Sequence, residues 1–131
     1  MFRTVSVILA TLLVLPTATS AQPLRTLRID MTEFAFRPAI IRLTSGQPVR
    51  LLLVNRGQIA HQFETDYLRK VAVTIVDATM QVESPGLQVI RLQPDARATI
   101  EFLPRLRGRF PFACTIEGHR EAGMEGALEV R

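Results

Sequence analysis

Several short segments of this chain alternate hydrophobic and polar residues, with turn-forming residues between the segments. Leu27, Ile29 and Met31 alternate with polar residues, and Ile100 and Phe102 do so farther along the chain. Successive side chains of a β-strand point to opposite faces, so this period of two predicts strands with one buried face. No convincing long segment has the 3.6-residue period of an amphipathic helix. The pattern therefore predicts an all-β sandwich or barrel.

Some segments carry a less regular pattern. Residues 49–54 are almost all apolar, which is typical of a central strand buried on both faces. Between residues 65 and 93, YLRKVAVTIV fits either a strand or a short helix, and DATMQVESPG predicts a loop. Six aromatic residues are predicted to pack in the interior: Phe34, Phe36, Phe63, Phe102, Phe110 and Phe112.

The N-terminus has the layout of a secretory signal peptide. Arg3 supplies a positive start, an apolar run of residues 5–15 follows, and Pro16 precedes the small residues TATSA. The run is too short to span a bilayer, which takes about 20 apolar residues. We expect residues 1–21 to be cleaved and residues 22–131 to form one domain in the periplasm, without stable membrane insertion.

The size and charge of the chain restrict its function. With 131 residues, 47% of them hydrophobic, the chain allows one globular core. Its net charge of +4 is too small for a nucleic-acid-binding protein, so we expect no nucleic-acid partner. Arg105, Arg107 and Arg109 share one face of a predicted strand, which indicates a solvated face or, alternatively, a docking face for an acidic partner.

The stretch FACTIEGHREAGMEG holds the single cysteine of the chain. Cys114, His119 and Met124 are spaced at intervals of five, and successive members on a helix would diverge by about 140°. The glycines of the stretch favour a tight loop instead. Cys114 has no disulfide partner in the chain, although the protein is predicted to enter an oxidising compartment. The thiol is therefore either buried and inert or bound to a ligand.

Thiolate, imidazole and thioether form a soft donor set, and copper is the metal that such a set prefers. Thioether is a poor ligand for zinc, and haem attachment or an iron–sulfur cluster would require more cysteines. A trigonal copper site with a weak axial methionine needs a second histidine. His61 is the other histidine of the chain, and it follows the predicted strand at residues 49–54.

These residues make the chain resemble the cupredoxin family, the type 1 or blue copper proteins such as plastocyanin and azurin. The resemblance lies in Asn55-x-Gly57-x3-His61-x-Phe63 and in Phe112-x-Cys114-x4-His119-x4-Met124-x-Gly126. It implies a Greek-key sandwich of about seven to eight strands and one type 1 copper per chain. It also implies a set of site residues: His61, Cys114 and His119 as equatorial ligands, and Met124 as the axial ligand.

The chain departs from the family pattern at two positions beside these residues. Gln62 stands where many members carry asparagine, and Glu117 stands where a proline is frequent. Contacts to ligating residues tune a metal site, so both positions bear on the reduction potential.

The sequence is compatible with three functions. The first is a periplasmic electron carrier that cycles Cu(II) and Cu(I), acts as a monomer and meets a cytochrome or a copper enzyme transiently. The second is a copper-binding or copper-delivery protein for copper tolerance or oxidase assembly. The third is an enzyme with Cys114 as nucleophile and His119 as base, which would need a cleft and an orienting carboxylate. We expect no enzymatic activity.

Overall fold

The computed structural model describes residues 21–131, so all but the last residue of the predicted signal peptide lies outside the described residues. Within that range the chain forms eleven strands and one short 3-10 helix, Leu68–Lys70. The strands, numbered in chain order, are β1 (Arg25–Thr32), β2 (Ala35–Arg37), β3 (Ile40–Leu43), β4 (Val49–Asn55), β5 (His61–Glu64), β6 (Val73–Val76), β7 (Gln81–Ser84), β8 (Val89–Leu92), β9 (Arg97–Phe102), β10 (Gly108–Ala113) and β11 (Glu125–Val130). None of the helical structure in residues 21–131 has the length and apolar character needed to cross a bilayer.

The strands form two sheets. One sheet has six strands in the order β2-β1-β4-β9-β6-β7, and the other has five in the order β3-β11-β10-β5-β8. Strand β1 is parallel to β4 and β3 is parallel to β11, whereas the remaining pairs are antiparallel. The all-β sandwich predicted from the period-two pattern is confirmed.

Both sheets contribute alternate residues to one hydrophobic core. The first sheet supplies Ile29, Leu51 and Ile100, and the second supplies Phe63 and Phe112, all at most 1% exposed. Strand β4 is central, as predicted, but it is fully buried on one face only. Its alternate residues are half-buried, which corrects the prediction of burial on both faces.

The structure also resolves the segment of residues 65–93. It contains the 3-10 helix and three strands, β6, β7 and β8, so the prediction of a loop at DATMQVESPG was wrong for β7. Strand β7 is an edge strand, held by its pairing with β6, and most of its residues are exposed. An edge strand without a buried face has no hydrophobic alternation to reveal it. Short strands of this kind raise the count above the predicted seven to eight.

The fold brings four chain segments to one end of the sandwich. Strand β10 is antiparallel to both β5 and β11, and Ala113 lies opposite Glu64 on one side and Glu125 on the other. The residues just after β10, just before β11 and at the start of β5 therefore meet. The end of β4 lies at the same place, because the loop that follows it leads directly into β5.

Gly126 on β11 lies where two sheet neighbours approach closely. A Cβ atom at this position would lie 2.2 Å from the carbonyl oxygen of Ala39 and 2.4 Å from the ring of Phe112. That carbonyl accepts the N–H of Ala127, so it cannot move without breaking a hydrogen bond of the sheet.

We expect Gly126→Ala to lower the free energy of unfolding by about 2–3 kcal/mol, because the added methyl overpacks the sheet. The control is Gly46→Ala, where a Cβ meets nothing within 4 Å and only the positive φ of 84° opposes the change. Strain of that kind costs about 1 kcal/mol. Denaturant unfolding of both variants measures the difference, and equal losses would contradict the close approach.

Candidate metal centre

The loop between β10 and β11 is held together by main-chain hydrogen bonds among the three predicted ligands. The N–H of Cys114 donates to the carbonyl of Met124 at 3.0 Å, and the N–H of Met124 donates to the carbonyl of His119 at 3.0 Å. Gly118 and Gly123 adopt positive φ angles of 80° and 101°, which let the loop turn back on itself. Residues five apart in sequence are therefore neighbours in space, and the predicted tight loop is confirmed.

His61 reaches the same place from the neighbouring strand. It is the first residue of β5 and is fully buried. Because β5 and β10 are antiparallel, the chain after Ala113 runs alongside the start of β5. The imidazole rings of His61 and His119 lie with their centroids 5.2 Å apart.

Three of the predicted ligands form a compact cluster. One donor atom from each of His61, Cys114 and His119 lies within 4.8 Å of the others. The Cys114 Sγ is 3.3 Å from the His119 Nδ1. Cys114 and Met124 are fully buried, and His119 is 7% exposed. The structure thus brings His61, Cys114 and His119 together in one buried cluster, and Met124 is a buried residue of the same loop.

The buried imidazole of His61 indicates that a ligand completes this site. Neither ring nitrogen has a hydrogen-bond partner among the described residues, whereas buried polar groups are normally paired. Burial lowers the pKa of His61 below its ordinary value, the nearby His119 lowers this pKa further, and Glu33 opposes both. The lowered pKa favours the neutral imidazole, which is the form that binds metals. The donor set fits a soft metal ion such as copper.

The thiol of Cys114 is further fixed by the strand beside it. The main-chain N–H of Gln62 points to the Cys114 Sγ at 3.3 Å. The side chain of Gln62 takes a different direction, and its Oε1 lies 2.7 Å from the hydroxyl oxygen of Thr115. The replacement of asparagine by glutamine at this position therefore leaves the main-chain contact with sulfur in place. Glu117, the other departure from the family pattern, is exposed.

Asn55 holds the loop that leads to His61. Its side-chain amide is fully buried and donates to the carbonyls of Ile59 at 2.8 Å and Leu92 at 2.9 Å. Its Oδ1 accepts the N–H of Gly57 at 2.9 Å. This network explains why the motif begins with asparagine, since the residue must donate and accept at once.

Two site neighbours are placed in a way that the sequence did not predict. Phe34 was expected in the core, but its ring is 40% exposed and lies edge-on to His119, with centroids 5.0 Å apart. Glu33 carried no predicted role, yet its Oε1 lies 3.7 Å from the Nε2 of His61. The N–H of Gln58 donates to this carboxyl and holds its pKa below the usual value. Both residues lie in a turn that becomes a neighbour of the site only after the sheets form.

Comparison with known proteins supports the same interpretation. A family model described as a cupredoxin-like domain matches residues 5–128. The chain belongs to the cupredoxin family. A copper-resistant cuproprotein, CopI, from Rubrivivax gelatinosus is 36% identical over 117 residues, which cover 86% of this cupredoxin and 70% of that relative. The family match, this relative and the His–Cys–His cluster together show that the chain is a copper-binding cupredoxin.

Solved structures share the fold at low identity. Auracyanin A, a blue copper protein from Chloroflexus aurantiacus, is 18% identical with a TM-score of 0.56, and the alignment covers 83% of this cupredoxin and 100% of auracyanin A. A multicopper oxidase is 17% identical with a TM-score of 0.67 and coverage of 82% of this chain. This cupredoxin spans only 44% of that oxidase, so the likeness concerns one domain of a larger protein.

We expect Asn55→Ala to lower the free energy of unfolding by about 3 kcal/mol, because it leaves buried main-chain groups without partners. The variant should also weaken copper binding, since the loop before His61 loses its anchor. Asn55→Asp is the matched variant: it can still accept from Gly57 but cannot donate to Ile59 or Leu92. Denaturant unfolding of the metal-free proteins, followed by copper titration, measures both effects. Full stability in Asn55→Ala would contradict this role.

Proposed function

We propose that this cupredoxin is an exported protein that binds one copper ion and contributes to copper tolerance. The residues that would hold the ion are His61, Cys114, His119 and Met124. The observation that carries this proposal is the buried cluster of three donor atoms within 4.8 Å, in which neither nitrogen of His61 makes a hydrogen bond within the described residues. The bound copper would supply one-electron chemistry, because it can exist as Cu(II) or Cu(I).

The donor set suits copper in both oxidation states. The thiolate and the thioether bind Cu(I) well, and the thiolate and the two imidazoles also bind Cu(II) well. All four donors come from the protein, and Cys114 and Met124 are shielded completely from solvent. A site of this kind holds its ion rather than presenting it to a substrate, because it keeps no position open.

The role in tolerance is supported by the relative from Rubrivivax gelatinosus, whose name describes a copper-resistant cuproprotein. The N-terminal pattern of Arg3, an apolar run and small residues supports export to the periplasm. In an oxidising compartment a bound metal would also occupy the sulfur of Cys114, which has no disulfide partner in the chain.

An electron carrier is the second candidate function. It is favoured by a site in which the protein would supply all four donors and by the fold shared with auracyanin A, a blue copper protein. His119 is the donor nearest to solvent, so it offers the route by which an electron would leave or enter. Its partner would be a cytochrome or a copper enzyme that binds a monomer of this chain weakly and briefly.

A thiol enzyme fits the geometry least. The Cys114 Sγ does lie 3.3 Å from the His119 Nδ1, which is the spacing that such a mechanism needs. However, Cys114 is fully buried, so a substrate cannot reach its sulfur in this conformation. Glu33 is the carboxylate near the histidines, and it faces His61 rather than His119.

Titration of the purified protein with Cu(II) tests the proposed ligands. We expect one equivalent to produce an intense visible band from a Cu(II)–thiolate bond. Cys114→Ser should abolish the band, and His61→Ala or His119→Ala should abolish tight binding. Met124→Leu should keep copper with a higher reduction potential, since the loss of a weak donor destabilises Cu(II) more than Cu(I). Wild-type affinity in Cys114→Ser would refute the site.

Deletion of the gene separates the two candidate functions. For copper tolerance, we expect the deletion strain to grow normally at low copper and poorly at raised copper, and the wild-type gene to restore growth. The gene carrying Cys114→Ser should not restore it. A growth or respiration defect at low copper, without copper sensitivity, would favour the electron carrier instead.

A further inference from the structure

The turn between β1 and β2 contains two residues, Glu33 and Phe34, because Thr32 pairs directly with Ala35. Strand β1 is parallel to β4, so the end of β1 lies beside the end of β4. The N–H of Arg56 donates to the carbonyl of Met31 at 2.8 Å and ties the two ends together. The turn is therefore held against the loop that carries the chain from β4 to His61.

Glu33 joins that loop to the buried ring of His61. Its Oε1 accepts the N–H groups of Gln58 at 2.5 Å and Ile59 at 3.3 Å, and it lies 3.7 Å from the His61 Nε2. A Cβ atom on Gly57 would lie 2.5 Å from the Glu33 Oε1 and 2.8 Å from the His61 Nε2. The carboxylate can approach the imidazole this closely only because residue 57 is glycine.

Phe34 has an unfavourable backbone conformation, and its ring lies against the ring of His119. Its φ is +58°, a value that glycine or asparagine adopts readily and a bulky residue rarely does. Burial does not explain a phenylalanine here, because the ring is 40% exposed. The ring does meet His119 edge to face, with an interplanar angle of 80°, and His119 is left only 7% exposed. Strained residues of this kind cluster at functional sites.

We propose that Glu33 and Phe34 are positioning residues that fix the two histidines for copper, an inference that rests on the proposed copper site. Glu33 faces the Nε2 of His61, which leaves the Nδ1 as the nitrogen available to the metal. Phe34 covers the ring of His119 and limits the access of water and competing ligands. Partners that orient a ligating histidine in this way typically change metal affinity when they are removed.

The charge of Glu33 can be tested apart from its anchoring of the loop. Glu33→Gln keeps an oxygen that accepts from Gln58 and Ile59 but removes the negative charge beside His61. We expect the Kd for Cu(II) to rise about tenfold. The Kd for Cu(I) should rise only about threefold, because the Coulomb energy is proportional to the charge of the ion and half the free energy of a tenfold change is about a threefold change.

The matched control for this variant is Asp77→Asn. Asp77 also lies in a turn and its Oδ1 accepts from the N–H and hydroxyl of Thr79, both at 2.8 Å. We expect Asp77→Asn to leave both copper affinities unchanged. The stability of the metal-free proteins is measured alongside by denaturant unfolding. If Glu33→Gln weakens Cu(II) and Cu(I) binding equally and also lowers stability, then Glu33 has only a structural role.

Phe34→Gly tests the cover over His119. The variant relieves the backbone strain but removes the ring, so we expect unchanged or higher stability of the metal-free protein. Copper release to the Cu(I) chelator bicinchoninic acid should become roughly three- to tenfold faster, the range that corresponds to an ordinary edge-to-face aromatic contact. Phe34→Tyr keeps the ring and should restore slow release. Asp95→Gly is the control, since Asp95 is exposed with a φ of +62°.

The wild-type titration separates this inference from the proposed function. If the wild-type protein binds no copper through Cys114, the proposed site fails and the turn has no copper to influence. If the wild-type protein binds copper but Glu33→Gln behaves like Asp77→Asn, or Phe34→Gly behaves like Asp95→Gly, the positioning role is overturned. A selective loss of Cu(II) affinity in the first variant and faster release in the second would establish it.

Discussion

The site depends on two main-chain hydrogen bonds that close the loop between β10 and β11. Cys114 donates to Met124, and Met124 donates to His119, so a single residue is bonded to both of the others. Because these bonds use backbone atoms, all three side chains remain free to act as donors. The antiparallel pairing of β10 with β5 and β11 then adds His61 from the other side. The donor geometry is thus a property of the scaffold.

The part of this arrangement that a sequence can reveal is local or carried by rare residue types. The period of two in Leu27, Ile29 and Met31 predicts a strand from local sequence alone. Ile29 and Met31 are fully buried in the structure. Cysteine, histidine and methionine at fixed spacing in a glycine-rich loop restrict the chemistry strongly, since few metals suit that set. His61 could be identified because the chain has only two histidines.

The parts that escaped prediction depend on contacts between distant segments. Phe34 is an aromatic residue of the kind expected in a core. Its exposure follows from its position in a turn, where its positive φ cannot be predicted from hydrophobicity. Glu33 resembles any exposed carboxylate until the parallel pairing of β1 and β4 brings it to His61. Strand β7 lacks a buried face, so only its pairing with β6 reveals it. In each case the deciding interaction is tertiary.

The buried imidazole of His61 also has a consequence for the lifetime of the protein in the cell. A buried polar group without a hydrogen bond lowers the stability of a fold, and a ligand that binds only the folded chain raises that stability by mass action. Proteases cleave a chain in proportion to the time it spends open when opening is fast. Bound copper should therefore lengthen the lifetime of this protein by keeping its chain folded for a larger share of the time.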